Sequence, residues 1–311
     1  MQPHATPEYS TWRIPRLVLF APLLILVLVA RPALAAEALP YGQGVFWKVE
    51  KPGAAPSYVL GTMHVTDDRV VNLPAPVEEA FNAADSATFE VLKTDGVQMR
   101  LARAMILTDG RSLDAILGPA LSRPRGERAG RYGLPADGVK HLRPWALTIM
   151  LSVPQQEVGR LAAGDLALDD WLQDEAERQG KALHQLETID DQIAVFSSLS
   201  EADQVTLLRV AIDQNAQIDA WFEKLLGHYL ARDVSAIHAL MIEQTAGMNP
   251  ELAATFQASF IDARNERMVA RMAPRLAEGN AFIAVGALHL PGERGILRLL
   301  DRQGYRVERV Y

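Results

Sequence analysis

Phe282-Ile283-Ala284-Val285-Gly286-Ala287-Leu288-His289-Leu290-Pro291-Gly292-Glu293-Arg294-Gly295 is the stretch on which the fold of this chain turns. An apolar run stops at a glycine, and a histidine stands three residues beyond it. A Gly-rich turn then leads into Ile296-Leu297-Arg298-Leu299-Leu300, a short helix that ends before Gly304. This is the pattern of a strand whose tip carries a polar side chain.

The pattern occurs once more, early in the chain. Tyr58-Val59-Leu60 leads into Gly61-Thr62-Met63-His64, then through a loop with two prolines into Val77-Glu78-Glu79-Ala80-Phe81-Asn82-Ala83-Ala84. Each copy continues into a strand-like run, Ala87 to Val91 in the first and Tyr305 to Val310 in the second. Val45 to Val49 and Ser57 to Leu60 flank a loop rich in Gly, Ala and Pro, which predicts an antiparallel hairpin that delivers His64 at the tip of its second strand.

Between the copies, from about residue 95 to 280, apolar residues recur at three- and four-residue spacing, the mark of amphipathic helices. One helix starts near Leu168-Asp169-Asp170 and stops at Gly180, and Ala182 to Glu187 then reads as a brief strand ending in a carboxylate. The expectation is an α/β fold, with a central mixed sheet built from two β-GxxH-α-β units and a large helical insertion. No linker divides residues 36–311, which points to a single domain.

Residues 1–35 read as a signal peptide. Arg13 and Arg16 precede the apolar run Leu17 to Ala30, and Ala33-Leu34-Ala35 forms a small-x-small cleavage site. The run is short for a membrane span, so the expected product is periplasmic or secreted and free of the membrane after cleavage. That leader carries three Arg and one Glu, and the remainder holds 28 Lys+Arg against 37 Asp+Glu. So acidic a product is a poor match for nucleic acid, whose phosphates call for a basic surface. The chain has no cysteine. Disulfides, thiolate metal sites, a Cys nucleophile and a Cys-linked lipid anchor are excluded, and any catalytic metal falls to His and carboxylate.

Ligands in sheets with crossover helices collect beyond the carboxyl ends of the strands. If the two glycine-histidine strands are neighbours, His64 and His289 face one crevice, where they and a carboxylate could hold a divalent ion with an open position for water. Glu90 and Glu187 are the carboxylates to add, since each lies at or near the end of a short apolar run. Strand alternation leaves Glu90 two options, pointing into the crevice or facing water. The bland alternative for the histidines is that each ties down a loop by hydrogen bonds. Gly61 and Gly286 either permit a bend with positive φ or let another group approach closely. His184, His228 and His238 have no matching partners. His-Glu-x-x-His, Gly-x-Ser-x-Gly, Walker and dinucleotide Gly-x-Gly-x-x-Gly signatures are missing.

The pair Gly61-Thr62-Met63-His64 and Gly286-Ala287-Leu288-His289, with Glu90 after the first unit, resembles the TraB/GumN family, which includes the Tiki proteins. Leu168-Asp169, Gly180-Lys181, Leu186-Glu187-Thr188 with Gln192, and Arg264-Asn265 with Met268 resemble its intermediate segments, so the likeness runs from about residue 41 to 311. It implies a fold like that of erythromycin esterases and ChaN haem-binding lipoproteins. It also implies metal-dependent peptidase activity with manganese or cobalt, zinc being a third metal to test. Carried over, it makes His64, Glu90 and His289 the metal ligands, Glu187 the general base and Arg264 the group that steadies an oxyanion. The substrate expected is a peptide or another small molecule. The ChaN likeness adds an alternative, a binding protein for haem or another iron-bearing ligand with Tyr41, Tyr58 or the two histidines as axial ligands. A non-catalytic scaffold is the third reading. The helices of residues 201–277 carry apolar surface enough for a homodimer.

Overall fold

The computed structural model describes residues 39–245 and 250–311, so the leader read at residues 1–35 lies outside the described residues. Six strands make one mixed sheet. They are β1 (Phe46–Glu50), β2 (Ser57–Thr62), β3 (Ser86–Phe89), β4 (Ala182–Gln185), β5 (Ala281–Gly286) and β6 (Arg306–Arg309), in the spatial order β4-β3-β5-β2-β1-β6. β1 and β2 form the expected antiparallel hairpin, with Phe46 opposite Leu60. β2, β5, β3 and β4 run parallel. β6 lies antiparallel to β1 and so shares the direction of β5.

The central position of β5 follows from its composition. A parallel strand covered on both faces reads as a continuous apolar run, and Ala281 to Val285 are all buried. Phe282 and Ala284 pack on one face with Phe46, Leu60 and Phe81. Ile283 and Val285 pack on the other with Val59, Met268 and Leu300. Helix Ala75–Ala83 covers the first face and helix Ile296–Arg302 the second. This division follows from crossover handedness. The chain leaves β2 past β5 to reach β3, and leaves β5 past β2 and β1 to reach β6, so two like-handed crossovers in opposite directions put their helices on opposite faces. Neighbouring strands that depart in opposite directions open a crevice at their carboxyl ends.

Between β3 and β5 lies the helical insertion, which contributes β4 to the sheet edge beside β3. Part of it builds a core of its own around Leu101, Trp145, Leu147, Leu208 and Phe256, while helices Leu168–Arg178, Ile218–Leu230 and Ala263–Glu278 pack against the sheet. Among the described residues, no helix is long and apolar enough to cross a membrane.

The glycines of the two motifs are there for close approach and not for positive φ. Neither Gly61 nor Gly286 belongs to the positive-φ set, and Gly286 has φ −54 and ψ 136. A Cβ on Gly61 would stand 2.6 Å from Leu290 Cδ1 and 3.0 Å from Ala287 Cα, inside the turn that carries His289. Gly61→Ala is therefore expected to cost about 1–3 kcal/mol by overpacking. Chemical denaturation measures this, and a change below about 0.5 kcal/mol would show that the two turns are not in firm contact.

Candidate active site

β2 and β5 are hydrogen-bonded parallel neighbours with Thr62 opposite Gly286, so both glycine-histidine turns leave the sheet at the same end. His64 and His289 line one cavity of about 200 Å³ between the strand tips and the helical insertion. Glu90, just past β3, and Arg264, in the first turn of helix Ala263–Glu278, line it as well.

The first turn is fixed from three sides. Tyr229 Oη donates to the Gly61 carbonyl at 2.9 Å. The buried Glu157 carboxylate accepts from Thr66 N–H at 2.5 Å and from the Thr66 hydroxyl at 3.1 Å. Leu168 N–H donates to the Val65 carbonyl at 3.0 Å, which docks the start of helix Leu168–Arg178 on the loop. That docking puts Asp169 beside the motif, where it accepts from Thr62 Oγ1 at 2.7 Å and faces His64 Nδ1 at 3.2 Å. A carboxylate only accepts, so the Nδ1 of His64 carries a proton, which in the neutral imidazole leaves the lone pair on Nε2.

The second turn is a short 3-10 segment, Ala287–His289. His289 Nδ1 lies 2.6 Å from Asn265 Oδ1, while Asn265 Nδ2 donates to the Arg294 carbonyl at 2.9 Å. With its amide nitrogen so engaged, Asn265 can only accept from His289, which therefore has the same tautomer as His64. Its Nε2 points toward Glu90 Oε1 at 3.8 Å. Two imidazoles held at Nδ1 by an outer oxygen, each with its lone pair on Nε2, match the way proteins prepare histidines for a metal.

Glu90 takes the inward option. Its Oε1 accepts from Gly286 N–H at 2.7 Å and its Oε2 from Arg264 Nη2 at 2.7 Å. Burial works against its charge, but Arg264, His289 and the Gly286 N–H overcome this and hold the carboxyl at about 2. Burial, reinforced by the Arg264 charge, pushes His289 down to about 4, so it is neutral at neutral pH. Burial also opposes charge on His64, but hydrogen bonding and attraction from Asp169 outweigh it and raise the imidazole above its ordinary value.

Glu187 lies apart from the cavity. It was expected to act as general base on water, yet its side chain is fully buried and is absent from the cavity wall. Arg264 Nε donates to its Oε1 at 3.1 Å and its Oε2 at 2.9 Å, Nη2 donates to Oε2 at 2.6 Å, and Arg267 adds a contact to Oε1 at 3.1 Å. Water has no access to it, and its work is to anchor Arg264. The expected three-ligand set of His64, Glu90 and His289 is likewise not drawn together. Among the described residues, no group of three or more His, Asp or Glu side chains is close enough to enclose an ion. Glu90, held by Gly286 N–H and Arg264, stops 3.8 Å short of His289 Nε2. The donor types and tautomers suit a divalent cation, whereas the spacing is not closed. Tyr41 packs edge-on against Trp47 and Tyr58 stacks on Phe46, neither in the cavity wall, so neither is placed as an axial ligand.

Asp169, Asn265 and Gln192 are site residues that sequence reasoning did not single out for a role. Gln192 approaches Glu90 Oε2 at 3.4 Å. It rides on helix Ile189–Ser197, opened by a capping box between Thr188 and Asp191. That box is a readable start signal, Thr-x-x-Asp before an apolar run.

The electrostatics predict an acid-labile site in metal-free protein. An unfolded histidine titrates near 6.5. Since His289 is held at about 4, the unfolded chain binds a proton that the folded chain refuses within that window. Stability is fully present above about pH 6.5 and falls as pH drops toward about 4, and Glu90 extends the loss from about 4.5 toward 2. His64 has the opposite sign, so a variant must isolate the effect. His289→Gln is expected to flatten the dependence of the urea midpoint on pH between 6.5 and 4, and an unchanged slope would contradict the assignment.

Comparison with known proteins places the chain in a family. Residues 45–309 match the TraB/PrgY/gumN family. The chain is 26% identical over 319 residues to the metalloprotease TIKI2 of Danio rerio, covering 84% of this chain and 60% of that protein. It is 25% identical over 311 residues to the metalloprotease TIKI1 of Homo sapiens, covering 84% and 61%. The metalloprotease TIKI homolog of Nematostella vectensis is 24% identical over 316 residues, covering 85% and 66%. The chain thus spans about three-fifths of the length of the first relatives it matches. No solved structure matches it.

Proposed function

Because this chain belongs to the TraB/PrgY/gumN family, we propose that it is an exported metal-dependent hydrolase, and specifically a peptidase, acting at the cavity between β2, β5 and the helical insertion. The observation that carries the reading is the pair of histidines at neighbouring strand tips, each held at Nδ1 by an oxygen acceptor. The names of the relatives support the class of chemistry.

His64 and His289 would hold the cation through Nε2, with Glu90 as the nearest carboxylate. When bound, a manganese, cobalt or zinc ion supplies Lewis acidity and lowers the pKa of a water toward neutrality. Asp169 and Asn265 keep the two imidazoles in the required tautomer. Glu90, ionised down to about pH 2, suits a cation better than it suits proton shuttling, which needs a pKa near the working pH. Arg264 engages the two glutamates through Nε and Nη2. Its Nη1 makes a long contact of 3.4 Å to the Phe260 carbonyl, and is the donor through which it would steady a developing oxyanion.

The test is purified protein loaded with each of the three metals and given a peptide library. Cleavage that requires both His64 and His289 is the expected result. Absence of metal uptake together with absence of histidine-dependent cleavage would overturn the proposal.

A further inference from the structure

The cavity is polar at one end and apolar at the other. Its polar groups, His64, Glu90, Asp169, Arg264 and His289 among them, collect at the strand tips. Apart from Gln192 and the Tyr229 hydroxyl, which is engaged by Gly61, the side chains that helices Asp95–Ala104, Pro144–Leu151, Ile189–Ser197, Ile218–Leu230 and Val234–Thr245 send to it are apolar. Four of the lining residues are linked rings. Trp145 stacks on Phe196 at 5.3 Å, Phe196 meets Phe260 edge-on at 5.1 Å, and Phe256 stacks on Phe260 at 4.0 Å. A π-helical segment, Gln257–Asp262, shapes this wall and brings Phe260 and Arg264 to the same cavity. Such segments occur often at functional sites.

We infer that this aromatic chamber is the specificity pocket of the enzyme, and that it receives one bulky apolar side chain, aromatic or large aliphatic, of a peptide whose backbone lies across the histidine end. The inference rests on the peptidase reading and deepens it. The whole cavity, histidine end included, holds about 200 Å³, and an apolar cavity of about 150 Å³ stays dry and holds benzene, so its apolar end has room for one such side chain and little more. The rings are already packed on one another, so little ordering is required when a guest enters. A lysine or aspartate side chain would lose more hydration there than the Gln192 amide and the buried Trp145 Nε1–H could return. Burial of one large apolar side chain corresponds to roughly ten- to a hundredfold in affinity.

The test separates recognition from chemistry. Metal-free protein, which cannot turn the probes over, is titrated calorimetrically with acetyl-Ala-Xaa-Ala-amide, Xaa being Phe, Leu, Ala, Lys or Asp. The Phe and Leu peptides are expected to bind roughly ten- to a hundredfold more tightly than the Ala peptide, and the Lys and Asp peptides no more tightly than Ala. Phe196→Ala should erase most of the Phe advantage. Ile193→Glu, on the same helix and in the same wall, should turn the preference toward Lys, which a merely destabilised protein would not do. Equal affinity for all five peptides, or unchanged preferences in both variants, would overturn the inference. So would tighter binding of an octanoyl amide than of the Phe peptide, which would assign the chamber to an acyl chain. Discrimination in binding without cleavage under any of the three metals would leave the chamber standing and remove the peptidase reading. Cleavage without discrimination would do the reverse.

Discussion

Replacing Arg264 by leucine is expected to lower the thermal midpoint by roughly 6–20 °C, the largest stability effect anticipated for a single substitution in this protein. The guanidinium is the main partner of Glu187, whose side chain is completely buried, and it also holds Glu90. Taking it away leaves a buried carboxylate with Arg267 at 3.1 Å and a long contact from the Gln192 amide at 3.5 Å. Removing one member of a buried ion pair costs about 3–5 kcal/mol, because the partner remains as an uncompensated charge. In a chain of this size each kcal/mol moves the midpoint by roughly 2–4 °C. The pair itself need not be a net source of stability. Arg264→Leu combined with Glu187→Leu is therefore expected to recover most of the loss, since apolar replacement of both partners is often neutral. Scanning calorimetry on both variants decides the matter. A drop of only 1–2 °C in the single variant, or no recovery in the double, would show that Glu187 does not depend on Arg264.

His64→Ala and His289→Ala are each expected to abolish metal-dependent hydrolysis, while the protein stays folded at neutral pH. The two residues belong to different strands and different hydrogen-bond systems, so each tests the shared cavity separately. Their outer partners give a graded version of the same test. Asp169→Ala and Asn265→Ala keep both imidazoles but release their tautomers, and should weaken metal binding or activity by about 10–100-fold. Thr62 also binds Asp169. Thr62→Val then serves as a milder control that loosens Asp169 without removing it. Wild-type activity in either histidine variant would exclude the proposed chemistry.

Much of this arrangement is visible in the linear chain, and what is hidden is hidden for physical reasons. β5 announces itself because a strand with parallel neighbours and both faces covered is a continuous apolar run, β2 because the same glycine-histidine spacing follows Tyr58-Val59-Leu60, and the hairpin β1–β2 because its loop is rich in Gly and Pro. That β5 inserts between β3 and β2 is a long-range pairing that no local pattern encodes. Glu90 and Glu187 look alike in sequence, each a carboxylate after a short apolar run. They part company in the fold, since Glu90 opens onto the cavity and Glu187 is sealed behind Arg264. Gly61 and Gly286 look like turn glycines, but the need they meet is a tight contact between the turns and room for Glu90 beside Gly286. The aromatic chamber is spread over residues 145, 196, 256 and 260, so only the folded chain brings it together.

The central claim is that two imidazoles from neighbouring strands share one cation, and metal content tests it most directly. Elemental analysis of protein loaded with cobalt and then desalted should find one ion per chain in the wild type and none in His64→Ala or His289→Ala. No cobalt in the wild type, or the same content in all three proteins, would contradict the account.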